Sequence, residues 1–530
     1  MVRTLRHLLL ALPTLAACAG EGRLLISLEL SSTPSLNPML DPRLSRFALR
    51  VTHGGRTTTQ TAALASGPEV PVGNVPVGEP FELRLAAEAA TGQMIGLGLQ
   101  RDVLVTSSGE SSYKLAFRKP VAYVAGGDQL RAVDTAALAR GATELSTLPL
   151  PGVGRIAGTA NGKLLAAVAG RTLHLIPTGT HSPGPAAATL PLPGLAAAVS
   201  PDSRFVAVAH QNGTAGSLSL VDLSQSPVEV VPVGVGEGLP RRLAFAPDGR
   251  SLHVLLDGTD PRKGCASPAS SRLVRVQLAE RPYGAIPPAL SFDEALADVA
   301  VDPRDGALLV ASPCKGAISR VTGDRALEPV LPVPSPYDLA ITDSSLVAMG
   351  RAPDEADRVL RGQAVVVDLS HPGFPGANEL RALRKTFVPP GITIGLSTPT
   401  SPDGLLNWVS VPKSLTVGDL ELSPDGKRAL ALFEGAYASN LDFGSCAYRS
   451  AIQATGYLLL DLTDGAVVLG RFTRLAFSDC YANCIVAKDG QPLTTKAVCE
   501  EVFRSVLQNG EMLPRAEFDP AGAALLFGGS

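Results

Sequence analysis

A short phrase recurs along this chain: an apolar run, a tight turn built on Pro and Asp, then a second apolar run. The copies read Val199-Ser200-Pro201-Asp202, Phe245-Ala246-Pro247-Asp248-Gly249, Val301-Asp302-Pro303, Leu422-Ser423-Pro424-Asp425-Gly426 and Phe518-Asp519-Pro520. Two degenerate copies, Thr159-Ala160-Asn161-Gly162 and Ile341-Thr342-Asp343, bring the number to seven. Self-similarity of this kind marks a repeat architecture. Pro presets φ for a turn, Asp bonds the backbone just beyond it, and Gly tolerates positive φ. These residues are read as turn formers, since calcium needs a denser run of oxygen donors.

After each turn comes an apolar strand: residues 164–168, 205–209, 251–255, 307–311, 345–349, 428–433 and 523–527. A third strand follows, often closing on Asp-Leu, as in Asp222-Leu223, Asp368-Leu369 and Asp461-Leu462. Four-stranded units of roughly 40 residues predict propeller blades. Asp202 and Asp248 lie 46 residues apart, about one blade, whereas Pro424 and Pro520 lie 96 apart. The last copy stops after its second strand, at Phe527. The region opens with Val121–Ala125 and then Leu130–Asp134, the latter ending on a third-strand Asp. The expectation is that the carboxy-terminal stub zips onto the strand near position 130, so that the two ends complete one blade and close the ring, removing open sheet edges. The pattern resembles the seven-bladed propellers with Ser-Pro-Asp-Gly turns, a group that includes the YVTN-repeat and lactonase-like propellers. That resemblance covers about three quarters of the chain and implies fold; it matches no catalytic or metal-ligating residue.

Residues 23–118 form a separate expected unit. Ile26–Leu30, Phe47–Val51 and Phe81–Leu85 alternate apolar and polar residues, the period of half-buried strands. Further strands are expected at 57–61, 94–97 and 113–117, with Gly and Pro clusters such as Pro71-Val72-Gly73 between them. Short strands at this spacing predict a small immunoglobulin-like β-sandwich, although the Cys…Trp…Cys signature of a true immunoglobulin domain is absent. Its expected role is a spacer rather than an adhesive module. The fold class expected for the whole chain is therefore all-β, a small sandwich at 23–118 followed by a seven-bladed propeller at 119–530.

The first residues, a basic start and a short apolar run over 8–17, have the form of a secretory signal. Leu15-Ala16-Ala17-Cys18 resembles the lipobox of bacterial lipoproteins. That resemblance implies removal of residues 1–17, lipidation of Cys18, and a tether over 18–22. The residues after Cys18 are Ala19 and Gly20 rather than an acidic residue, which points to the outer membrane. The six remaining cysteines are Cys265, Cys314, Cys446, Cys480, Cys484 and Cys499. An even number in an exported chain reads as disulfides. Their spacing fits neither a CxxC motif nor a zinc finger, and six cysteines allow 15 pairings. Cys265 with Cys314 is the first expectation, because they fall at similar places in neighbouring repeats.

Net charge is −3 and only ten of the 46 basic residues are Lys, so no nucleic-acid footprint is expected. His53, His174, His181, His210, His253 and His371 form no HExxH or i, i+4 pair, and His174 and His253 read as blade residues. Gly234-Val235-Gly236-Glu237-Gly238 lacks the Lys of a phosphate loop and is read as an inter-strand turn. The carboxylate pairs Asp257/Asp260, Asp302/Asp305 and Asp354, Glu355/Asp357 read as solvated loop charge.

Additions to the ring are expected at 352–361, at 376–411 and, largest, as a Cys-rich insertion at about 436–514 carrying an amphipathic helix at 496–508. The candidate binding residues are Trp408 and, in the insertion, Asp442, Tyr448 and Arg449. No catalytic residue, metal ligand or cofactor is expected. The function expected is a cell-envelope lipoprotein whose propeller is a binding platform, held to the membrane by lipid and engaging an envelope protein or extracellular ligand. The alternative is a propeller hydrolase or lactonase with its site at the central channel, and a weaker option is a carbohydrate- or matrix-binding protein.

Overall fold

The structure is a computed structural model that describes residues 21–53, 56–62, 68–90, 94–106, 110–126, 128–134, 143–159, 163–178, 186–257, 270–323, 326–342, 345–351, 362–369, 382–387, 392–397, 405–422, 428–442, 446–461, 467–484 and 524–527. The described residues are strands and turns, with two 3₁₀ turns at Pro34–Leu36 and Pro38–Leu40. The expected helix at 496–508 and the addition at 352–361 lie outside them.

The N-terminal unit is two sheets. Arg56–Ala62, Leu44–His53, Phe81–Ala89 and Met94–Val103 lie side by side in one; Glu69–Pro76, Glu21–Glu29 and Glu110–Ala116 form the other. The period-2 pattern does what it predicts: Phe81, Leu83, Leu85, Ala87 and Ala89 are buried and their neighbours are not. Buried side chains of both sheets, among them Ile26, Val72, Phe47 and Leu83, make one core. The Pro71-Val72-Gly73 cluster is a strand and not a connection, because Val70, Val72 and Val75 are buried on one face of an edge strand. An edge can carry Pro, since one side of it needs no ladder donor.

Seven sheets follow, each antiparallel. The second to sixth blades are consecutive four-stranded meanders starting at Val153, Ala196, Pro240, Asp298 and Pro336. The seventh combines Ile392–Ser397, Leu405–Leu422, Arg428–Asp442, Cys446–Asp461 and Val467–Cys484. Inner strands of successive blades touch one another all the way round, the seventh blade through Leu405–Leu422 and the first through Ala524–Phe527, which meets both the second and the seventh blade. The chain is therefore a closed seven-bladed β-propeller.

Closure differs from expectation by one strand. Ala524–Phe527 pairs with Val121–Gly126, register Ala524↔Ala125 to Phe527↔Ala122, and not with Gln129–Asp134. The carboxy-terminal strand is thus the innermost of the first blade, where a second strand was expected. Val121–Gly126 already fills the second place, because the turn at Asp128 (φ 59°) folds it directly onto Gln129–Asp134.

Turn chemistry follows the repeat. Asp202 Oδ1 accepts Arg204 N at 3.0 Å, Asp248 Oδ1 accepts Arg250 N at 2.9 Å, and Asp302 Oδ1 accepts Arg304 N at 3.0 Å. Gly249 sits at φ 68°, where an L side chain would be strained. The Gly234–Gly238 stretch is mostly outer strand, Glu229–Glu237 of the third blade, because Val233 and Val235 are buried there.

Two of the expected additions are blade strand. Ala382–Phe387 is the outer strand of the sixth blade, and 392–397 with 405–410 forms a hairpin of the seventh. The first part of the Cys-rich stretch, through Cys484, is likewise an elongation of blade strands.

Candidate functional site

Two places on the ring stand out: the elongated seventh blade and the innermost strands. In the seventh blade Arg428–Asp442, Cys446–Asp461 and Val467–Cys484 run 15, 16 and 18 residues, against eight and eight for the second and third strands of the third blade. About eight extra residues at strand rise extend the sheet by roughly 25 Å. The extra length lies where second strands end and third strands begin, since Asp442↔Ala447 closes the hairpin and Arg428↔Asp461 starts it. The projection therefore leaves the face opposite the Pro-Asp turns.

This register gathers the candidate binding residues. Asp442 faces Ala447 across the ladder, Leu441 faces Tyr448, and Asn440 faces Arg449, so Asp442, Tyr448 and Arg449 share the projecting tip. Trp408 is opposite Ile394 and three residues beyond the last inner pair, Val411↔Ala438, which places it at the same end of the sheet. Cys446, Cys480 and Cys484 lie on the same two strands, with Cys446↔Cys484 and Ser450↔Cys480. Cys314 sits in the turn between two strands of the fifth blade and carries a disulfide. Cys18, Cys265 and Cys499 lie outside the described residues.

The innermost strands hold charge that the sequence reading missed. Counting four residues back from Thr159, Ser200, Ala246, Asp302 and Thr342 gives Arg155, Ala196, Arg242, Asp298 and Asp338. Arg242 Nε lies 3.2 Å from Asp298 Oδ1, and its Nη2 lies 3.6 Å from Asp338 Oδ2, so one guanidinium spans three blades. Asp298 also accepts Val299 N and Leu339 N, each at 2.9 Å. Both carboxylates are buried. The arrangement staples first strands together by charge, with both Asp298 oxygens also accepting backbone hydrogen bonds. Two residues further along, the same alignment gives Ala157, Ala198, Ala244, Ala300 and Ala340, small side chains where the strands converge. Aligning blades on the turn would have revealed both sets; single-residue chemistry could not.

The other candidates resolve into structural roles. Asp302 accepts the Arg304 guanidinium (2.7 Å) and Asp305 the Arg320 guanidinium (2.7 Å), so they are two ion pairs and not an acid/base couple. Asp257 takes Leu239 N at 2.9 Å and Arg272 at 3.1 Å; Asp260, Asp354, Glu355 and Asp357 lie outside the described residues. His210 is buried, with Nδ1 3.1 Å from Pro193 O and Nε2 2.9 Å from Ser219 Oγ. A carbonyl only accepts, so Nδ1 donates and the Ser219 hydroxyl donates to Nε2. Burial lowers the His210 pKa and keeps this ring neutral. Burial, followed by the Arg275 charge, pushes His253 down to about 4. Among the described residues no group of three or more His, Cys, Asp and Glu side chains could hold a metal ion.

A third charged cluster joins the N-terminal unit to the ring. Asp41 meets Arg43 (2.6 Å) and Lys119 (2.9 Å), and both cations also reach Asp134 (3.2 and 3.5 Å). Asp41 loses solvation, which raises its pKa, yet hydrogen bonds from Arg43 and Lys119 outweigh this and hold it well below the usual carboxylate range. Lys163 pairs with Glu29 at 3.1 Å, Arg118 Nε donates to Thr178 Oγ1 at 3.3 Å, and Leu36 joins the core of the first two blades. Asp134 and Thr178 end third strands and Lys163 precedes a second strand, so the unit docks on the Pro-Asp face.

Fold and sites thus define an all-β ring with one docked accessory unit and one blade drawn out on the far face. No protein-family model matches the chain, and neither does any curated protein. Among solved structures it is similar to Kuenenia stuttgartiensis hydrazine synthase (TM-score 0.37, 15% identity, 54% of this chain and 77% of that one). It is also similar to the β-propeller domain of Myceliophteria thermophila Cps50 (Swd1) (TM-score 0.37, 12% identity, 62% and 88%). A third is dihydro-heme d1 dehydrogenase NirN in complex with DHE (TM-score 0.37, 16% identity, 68% and 75%).

Proposed function

We propose that this protein is an exported lipoprotein, anchored through Cys18, whose propeller is a binding platform presented away from the membrane. One observation carries the reading: the direction of the strand Glu21–Glu29. Its Glu29 end is held against the ring, pairing with Lys163 at 3.1 Å. Its Glu21 end lies roughly 27 Å away, at the rise of an extended strand. A lipid three residues before Glu21 would therefore sit at the far end of the N-terminal unit, and that unit would be the spacer. The ring would turn its Pro-Asp face toward the lipid and its elongated seventh blade outward. A stiff scaffold with one long presented sheet suits capture of a partner by loops and strand ends. The partner is an envelope protein or an extracellular ligand meeting the tip that carries Asp442, Tyr448, Arg449 and Trp408.

The test has two parts. Growth with a labelled fatty acid should label the wild type, and Cys18→Ser should lose the label and leave the membrane fraction; an unlabelled wild type overturns the anchor. Photo-crosslinkers placed at Asn440 and at Asp248, on opposite faces, should then be compared in intact cells. Adducts from position 440 and none from position 248 are expected. Adducts from 248 alone overturn the proposed orientation.

A further inference from the structure

Three cysteines fall on neighbouring strands of the seventh blade, and the ladder separates the bridge they can form from those they cannot. Cys446 opens one strand and Cys484 closes the next, and the two are direct partners across the ladder. Directly opposed residues of an antiparallel pair have Cα atoms about 4.5 or 5.5 Å apart. Both values lie within the range of roughly 4.4–6.8 Å that a disulfide spans. Cys480 is opposite Ser450, four residues along from Cys446, and precedes Cys484 by four on its own strand. Four residues of strand are roughly 13 Å, far beyond the limit of about 7 Å. Neither Cys446–Cys480 nor Cys480–Cys484 can close while this ladder stands.

We infer that Cys446 and Cys484 form a cross-strand disulfide that staples the projecting end of the seventh blade. The bond locks the register just beside the hairpin carrying Asp442, Tyr448 and Arg449. A projecting strand pair has one blade's worth of neighbours at its base and none of the ring's seams at its tip, so a covalent rung there keeps the sheet from fraying. The inference also narrows the pairing of the rest: Cys480 is left to a cysteine outside the described residues. It rests on the export reading only for where the oxidation happens. In the envelope the oxidant is a thiol–disulfide oxidoreductase of the dithiol-oxidase class. The two thiols lose two protons and two electrons, and the oxidant's own disulfide is reduced to a dithiol.

The experiment uses the full chain, reduced under native conditions and then reoxidised with glutathione disulfide, which takes the two electrons and two protons as two glutathione molecules. Trypsin releases Cys446 on peptide 429–449 and both Cys480 and Cys484 on peptide 475–488; chymotryptic cleavage after Tyr481 separates those two. The same protease cuts after Phe443 and Tyr448, so the expected product is the Cys446 fragment 444–448 linked to the fragment 482–488, two hydrogens lighter than the sum of its parts. The link should persist in Cys480→Ser and vanish in Cys484→Ser. A link to the Cys480 fragment, or no link to either, overturns the inference. The same digest on protein taken directly from cells separates the two readings. A rung that forms with glutathione disulfide but is absent from cell-derived protein counts against export and leaves the pairing intact.

Discussion

Two kinds of seam hold this molecule together, and they are built from opposite chemistry. Between the third and fourth blades the contact is apolar: Ala207, Leu218, Val233, Leu252, Val254 and Val276 pack as one buried cluster. The same solution recurs between the second and third blades, with Val168, Val206, Val208 and Val221. Between the N-terminal unit and the ring the centre is ionic, Asp41 and Asp134 shared by Arg43 and Lys119, with Leu36 as the main apolar plug. Apolar seams tolerate repetition because burial is non-directional. An ion cluster is directional, so it fixes one orientation of one unit against one blade, and losing a single member leaves the others buried without compensation.

That contrast can be broken at several points, and the largest effect is expected at the ionic seam. Asp41→Asn should destabilise docking by about 3 kcal/mol, the lower end for breaking a buried pair, because Arg43 keeps some solvent. Denaturant melts should then show the N-terminal unit unfolding ahead of the ring. A single unshifted transition would mean that Leu36 and the strand contacts suffice. The folded pKa of Asp41 is depressed. Its contribution is present above the unfolded value of about 4 and fades as pH falls through the lower folded value, so docking should survive mild acid.

Leu252→Ala tests the apolar seam and should cost about 3 kcal/mol through lost burial and a cavity. Here the whole ring should shift together, because neighbouring blades share the cluster; a loss confined to one blade would make the seams independent. Third comes pH. Unfolded His253 takes a proton near 6.5 and folded His253 only near about 4. Stability should therefore fall as pH drops through that window, by about 3 kcal/mol at 1.4 kcal/mol per unit. His253→Gln should flatten this part of the profile, and an unchanged slope would remove His253 from the account. The smallest effect belongs to the exposed pair Arg281–Glu229, at 2.5 Å. Arg281→Ala should leave the melting midpoint unmoved, since screened surface pairs contribute little. A clear shift would mean that the cation over the Tyr283 ring matters more than the charge pair.

Much of the ring was legible because its signal is local and repeated. Strand, turn and strand lie within about fifteen residues, and Ser200, Asp202 and Asp302 make the turn bonds their spacing implies. The N-terminal unit was legible wherever alternation was clean, as at Phe81–Ala89, and misread where an edge strand carried Pro71 and Gly73. The candidate site was legible only as scattered residues. Asp442, Tyr448 and Arg449 come together through the strand pairing of a hairpin whose length no turn motif announced. Arg242, Asp298 and Asp338 were not legible at all, Arg242 lying 56 and 96 residues from the two carboxylates and each looking individually like solvated charge.

Taken alone, the order of residues determined that this chain would make a sevenfold ring of small sheets, because each blade's turn and alternation are written within it. Only the three-dimensional arrangement decided which strand closes the ring, where the N-terminal unit docks, and which charged and sulfur-bearing residues meet. Those outcomes depend on pairing between segments far apart in the chain. Such pairing is selected by fit, burial and charge compensation that no short stretch of sequence encodes.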